Sequence, residues 1–152
     1  MLFEIEQTST PGASATSAAW NSPERQQAPT AFSSAAGSWP EAVADRLVKL
    51  RKLAAGWDGH GAQPISRTIV DYTCALLPRL VRPGVPPPFI APIATGGLQL
   101  EWHRNGWDLE VEIEGPGRIY VYARELATGQ EWETDLADDL SALQPKLNAI
   151  SD

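Results

Sequence analysis

Four residues in the second half of the chain, Glu101, His103, Asp108 and Glu110, have the types and spacing to do chemistry together. Glu101 and His103 lie two apart in one run, Asp108 and Glu110 two apart in the next, with Asn105-Gly106 between the runs. Residues two apart on a strand share a face. Asn-Gly favours a two-residue type I′ hairpin, which places Arg104 opposite Trp107. His103 then faces Asp108, and Glu101 faces Glu110. A carboxylate pair can divide acid and base roles, and a carboxylate beside an imidazole can orient a general base. As metal ligands, one imidazole and several carboxylates on a flat face make an open, weak site. Two glutamates in direct opposition also repel one another.

These residues need a sheet to position them. The same register pairs Trp102 with Leu109, Leu100 with Val111 and Leu98 with Ile113. A second turn, Gly115-Pro116-Gly117, predicts Glu114 opposite Arg118, then Ile113 opposite Ile119, Val111 opposite Val121 and Leu109 opposite Ala123. Two independent turns thus agree on one continuous apolar face. The other face carries Gln99, Glu101 and His103, then Asp108, Glu110, Glu112 and Glu114, then Tyr120, Tyr122 and Arg124. Three uses fit it. It is a solvated outer surface, or an acidic and aromatic docking surface for a basic protein, or a catalytic or metal site. For docking, the candidate residues are Glu101, His103, Asp108, Glu110, Glu112, Tyr120 and Tyr122. An open sheet face is expected to exclude no water and to leave pKa values near their ordinary ones, so the third use requires a covering element.

Helices frame the sheet. Ser38-Trp39-Pro40-Glu41 has the form of a capping box, followed by Val43, Leu47, Leu50 and Leu53 at helical spacing, with Gly56 placed to end the helix. Ser66 is a cap for a second helix with Ile69, Val70, Thr73, Leu76, Leu77 and Leu80 on its inner side. Pro78 is expected to kink or end it. Edge strands are expected over Phe89–Ile93 and Gln130–Thr134. Asp135 is read as the cap of a last helix, with Leu136, Leu140, Leu143, Leu147 and Ile150 as its seam and Pro145 as an interruption. The expected fold class is α+β. A helical hairpin and a C-terminal helix pack on one face of an antiparallel meander of roughly three to five strands.

Between the first two helices lies Gly56-Trp57-Asp58-Gly59-His60-Gly61-Ala62. Its glycines permit positive φ. Asp58 and His60 are a candidate metal or catalytic pair, but Asp in a glycine-rich turn commonly bonds its own backbone. Trp57 is expected to plug the space between helix and sheet. The loop matches neither phosphate-binding glycine pattern, and no nucleophile elbow or HExxH helix occurs. No cofactor is expected.

The chain has 152 residues and a net charge of −7, from 19 acidic and 12 basic residues. That balance argues against nucleic acid and against an anionic membrane surface; it serves solubility, and it leaves room for a basic protein partner. The one cysteine, Cys74, excludes an internal disulfide and reads as a buried structural thiol. No apolar run approaches the roughly 18 residues of a membrane span, and the first residues lack a secretory pattern, so the expected location is cytoplasmic. Residues 1–37 are rich in Ser, Thr, Ala, Gln and Pro and read as a disordered low-complexity tail. Residues 38–150 read as a single domain. Oligomeric state is left open.

The GWDGxGAxP loop over Gly56–Pro64, followed by a helix, then Gly96-Gly97-Leu98-Gln99-Leu100-Glu101-Trp102 and an acidic strand, resembles a group of small uncharacterised bacterial proteins without a settled activity. The likeness spans about residues 45–125. It implies a bacterial origin, and a packing role for His60, since that position in the group is typically Tyr. Two functions follow. One is a non-catalytic binding protein, antitoxin- or immunity-like by analogy, docking through the acidic face or the last helix. The other is a small hydrolase or metal-dependent enzyme built on Glu101, His103, Asp108 and Glu110.

Overall fold

In the computed structural model of the protein, the described residues are 39–152. The tail expected over 1–37 and the capping Ser38 lie outside them. Helix α1, Trp39–Leu50, carries Glu41 in its first turn and buries Val43, Leu47 and Leu50. It stops before Leu53. The N–H groups of Lys52 and Leu53 reach back only three residues, to Lys49 and Leu50, and this tightening ends the helix ahead of Gly56. Gly56 serves the following loop instead, with φ 73° and its N–H donating to the Ala62 carbonyl at 2.7 Å.

Helix α2, Arg67–Leu80, begins where Ser66 Oγ accepts from the Ile69 N–H at 3.2 Å. Ile69, Thr73, Leu76, Leu77 and Leu80 are its buried side. Pro78 lies in the last turn and the helix runs on to Leu80, so the proline neither breaks it early nor leaves a long stretch beyond. Cys74 is exposed, contrary to the buried thiol expected. It falls one residue past Thr73, which rotates it out of the inner stripe. Trp57 is not a core plug either. It is half-buried and its Nε1–H donates to the Gln63 carbonyl at 3.1 Å, closing its own loop.

The sheet is an antiparallel meander in the order β1 (Phe89–Pro92), β2 (Leu98–Arg104), β3 (Trp107–Gly115), β4 (Arg118–Glu125) and β5 (Glu131–Leu136). Between β2 and β3 the register is the one the Asn-Gly turn predicts, from Leu98 opposite Ile113 to Arg104 opposite Trp107. Between β3 and β4, Arg118 faces Gly115 and not Glu114. Glu114 is the extra residue of a bulge, its carbonyl accepting from Arg118 Nη2 at 2.9 Å. Pro116-Gly117, with Gly117 at φ 67°, therefore makes a two-residue turn. The bulge takes up the difference, so Ile113 still meets Ile119, Val111 meets Val121 and Leu109 meets Ala123.

Leu98, Leu100, Leu109, Val111 and Val121 are all fully buried on one face. Against that face α1 packs along β1 and α2 across β3. The expected last helix is shorter than the leucine spacing suggests. Asp135 and Leu136 belong to β5, where Glu-Trp-Glu-Thr-Asp-Leu alternates with a strand's period of two. A 3₁₀ turn, Ser141–Leu143, leads into α3, Gln144–Ala149. Asp139 Oδ1, not Asp135, holds the start of this segment by accepting from the Ser141 N–H at 2.9 Å. Pro145 sits in the first turn of α3 and opens the helix instead of interrupting it. Leu140, Leu143, Leu147 and Ile150 are buried, so the seam docks on the chain's own core. Among the described residues, no helix is long and apolar enough to cross a membrane.

Among the described glycines, Gly97, just ahead of β2, has the least room for a side chain. A Cβ there would stand 2.5 Å from the Ile113 carbonyl oxygen and 2.8 Å from Ile93 Cδ1. The backbone oxygen cannot swing aside as a side chain could. Gly97→Ala is therefore expected to destabilise the domain by about 1–3 kcal/mol in urea unfolding. An unchanged midpoint would show that β2 has room to shift.

Candidate docking face

Alternation along five paired strands gathers one set of side chains on the face opposite the core. β2 contributes Gln99, Glu101 and His103; β3 contributes Asp108, Glu110 and Glu112; β4 contributes Tyr120, Tyr122 and Arg124. β5 adds Glu131, Glu133 and Asp135 through its pairing with Arg124, Tyr122 and Tyr120. Carboxylates dominate, with Arg124 and His103 as the cations among these positions.

The structure brings Glu101, His103 and Asp108 together. His103 Nδ1 lies 2.7 Å from Asp108 Oδ1, and Nε2 lies 3.5 Å from Glu101 Oε2. Both carboxylates favour the protonated ring. Glu101 contributes most and Asp108 next, against an opposing contribution from burial, and the imidazole is pushed up to about 9 from its ordinary 6.5. At neutral pH His103 is therefore an imidazolium that ties two adjacent strands together. It holds its proton too firmly to be a general base there. The sign of the pH effect follows. A raised folded-state pKa adds stability that is fully present below about 6.5 and is lost as pH rises through about 9. An NMR titration of the His103 ring should find its midpoint near 9, and His103→Gln should flatten stability across that window. A midpoint near 6.5 would mean the ring is not clamped.

Glu110 does face Glu101 across the strands. The opposition is softened because each carboxylate has its own donor. Glu110 Oε2 accepts from Gln99 Nε2 at 2.8 Å, and Glu101 has the His103 ring. Glu110 is buried, at 9 % exposure, so it shapes the face from beneath more than it presents charge to solvent. Glu112 is half-buried.

Toward β5 the face opens. Tyr120 Oη donates to Glu133 Oε2 at 2.6 Å, and Tyr122 Oη donates to Glu131 Oε1 at 2.8 Å. Tyr120 is pushed up to about 12, chiefly by its bond to Glu133, and Tyr122 to about 12, chiefly by desolvation and then by Glu131. Both phenols stay protonated at physiological pH. They fix the Glu133 and Glu131 carboxylates from the β4 side, where Arg124 Nε also lies 4.0 Å from Glu131 Oε1. Glu131, Glu133 and Asp135 are exposed. The face expected from the sequence ends at Tyr120, Tyr122 and Arg124, and β5 extends it. The signal for the remainder was present in the alternation of Glu131, Glu133 and Asp135 with Trp132, Thr134 and Leu136.

The loop pair Asp58 and His60 is not brought to this face by any observed contact. Asp58 Oδ1 accepts from the N–H groups of His60 at 2.8 Å and Ala62 at 2.9 Å. These bonds hold the carboxyl below its ordinary pKa, the Ala62 bond most strongly. His60 Nδ1 lies 3.0 Å from the Asp58 carbonyl oxygen. The pair folds its own turn. Among the described residues, no group of three or more His, Cys, Asp and Glu side chains is placed to hold a metal ion. No protein-family model, no curated protein and no solved structure matches the chain.

Proposed function

We propose that the chain is a non-catalytic binding protein that docks a basic protein partner on the outer face of its sheet. The observation that carries this reading is the set of Glu101, Asp108, Glu112, Glu131, Glu133 and Asp135 on one face of a continuously paired sheet, in a chain of net charge −7. Folding alone gains little from concentrating like charges. A basic partner relieves their repulsion and is steered toward them. Phosphate backbones and anionic lipids are repelled by the same field, which disfavours nucleic acid and membrane as targets. The last helix is the weaker of the two docking elements, because Leu143, Leu147 and Ile150 are spent on the core. A cytoplasmic, bacterial setting and an antitoxin- or immunity-like role extend the reading by analogy.

The contact of His103 with Glu101 and Asp108 supports a second reading, a small hydrolase or metal-dependent enzyme using these residues and Glu110. In it His103 would begin as an acid. Affinity capture from source-cell extract separates the two. Wild type should retain a basic protein, released by salt, that a variant carrying Glu131→Gln, Glu133→Gln and Asp135→Asn does not. Equal recovery by both would contradict docking.

A further inference from the structure

We infer that the free edge of β5 takes hold of the partner, by accepting an extended basic segment of it as an added strand. This rests on the docking reading above and names the part of the face that binds and the form of what it binds.

The two edges of the sheet differ. At β1, α1 packs alongside, Arg46 Nε donates to the Ile90 carbonyl at 2.8 Å, and the Arg46 guanidinium lies 5.3 Å from the centre of the Phe89 ring. That edge is occupied. β5 pairs with β4 alone among the described residues. Its guard is charge of one sign, Glu131, Glu133 and Asp135, with no Lys, no Pro and no bulge in Glu131–Leu136, so it repels a like edge and admits a basic strand.

The backbone of β5 also aims its free groups in a defined pattern. The Glu125 N–H donates to the Gln130 carbonyl at 2.9 Å. Antiparallel pairs alternate between bonded and non-bonded. Counting from that bond, Trp132, Thr134 and Leu136 exchange bonds with Ala123, Val121 and Ile119. Glu131, Glu133 and Asp135 therefore direct their N–H and C=O groups at the open edge. The residues whose backbone groups face the edge are the same residues whose carboxylates stand on the acidic face, although the Asp135 carbonyl also accepts a long bond, 3.4 Å, from Thr134 Oγ1.

An added strand would bond through residues directly opposite Glu131, Glu133 and Asp135, whose side chains fall on the same face. Lys or Arg at alternate positions would meet each carboxylate, two of them already oriented by Tyr120 and Tyr122. The intervening residues would lie beside Trp132, Thr134 and Leu136, which are half-buried on the core side, and suit Val or Thr. A second copy of the chain is a poor occupant. Edge-to-edge pairing of two β5 strands sets carboxylate against carboxylate.

The test uses the full chain and three capped peptides. One is Lys-Val-Lys-Thr-Lys-Val, the second has the same composition in the order Lys-Lys-Lys-Val-Val-Thr, and the third is the first with its lysine amides N-methylated. The first should bind, with slowed hydrogen exchange at the amides of Glu131, Glu133 and Asp135. The other two should bind about ten-fold or more weakly. Glu133→Pro should lose this binding beyond the loss seen in Glu133→Gln, since both remove the charge and only one removes the edge N–H. Equal binding of all three peptides would overturn the edge inference while leaving a charged docking face. Binding of none would overturn both. Protection of the same amides without peptide, in a dimer, would overturn it in favour of a second copy.

Discussion

Trp102→Ala is expected to cost about 3–5 kcal/mol in urea unfolding. Trp102 is 3 % exposed and closes the hairpin end of the apolar face, opposite Leu109. Its removal leaves a large cavity that surrounding strands cannot close without breaking their ladder. The indole also ties down the segment that joins α2 to β1, because Nε1–H donates to the Pro86 carbonyl at 2.7 Å. Alanine leaves that carbonyl unpartnered by the ring, adding to the packing loss. Trp102→Phe keeps most of the volume and loses only the donor, so it should fall well short of the alanine cost. A loss below about 1 kcal/mol for Trp102→Ala would be that of a surface position and would contradict the packing described.

The second large effect concerns association. Removing the charges of Glu131, Glu133 and Asp135 by substitution with Gln, Gln and Asn should slow association with a lysine-rich peptide by about ten-fold at low salt. The difference should shrink as ionic strength shortens the reach of the field. All three residues are exposed, so the fold should survive and the melting temperature should change little. Stopped-flow mixing at several salt concentrations reads both effects. Equal rates for wild type and variant at low salt would show that these charges steer nothing.

Much of the sheet was legible because its turns are chemically specific. Asn105 and Gly106 both adopt positive φ, at 52° and 75°, as the hairpin turn requires, and that alone set the pairing from Leu98 to Ile113. Glu114 was misplaced by one residue because a bulge leaves no mark in the hydrophobic pattern. The last helix is shorter than its leucines suggest for a related reason. Leucines at Leu136, Leu140, Leu143 and Leu147 fit a helical seam, yet Leu136 also fits the alternation of β5, and pairing with β4 decided it. Cys74 shows the limit of reading neighbours: Thr73 and Leu77 are buried, while Cys74 turns outward on the same helix. In the candidate face, the opposition of His103 with Asp108 followed from register. The burial of Glu110 and its bond from Gln99 did not, since both depend on how side chains lean within the face.

The central claim is that the outer face of the sheet is where a basic partner binds. The direct measurement is an NMR footprint of the isotope-labelled chain on addition of a lysine-rich peptide. The amides and side chains of Glu101, His103, Asp108, Glu112, Tyr120, Tyr122, Glu131, Glu133 and Asp135 should shift together, saturably and reversibly with salt. The buried positions Leu47, Leu76 and Leu147, on the helices that cover the opposite face, should stay in place. Shifts confined to the helices, or scattered over every exposed carboxylate including Asp45, Asp71 and Asp138, would contradict a dedicated docking face.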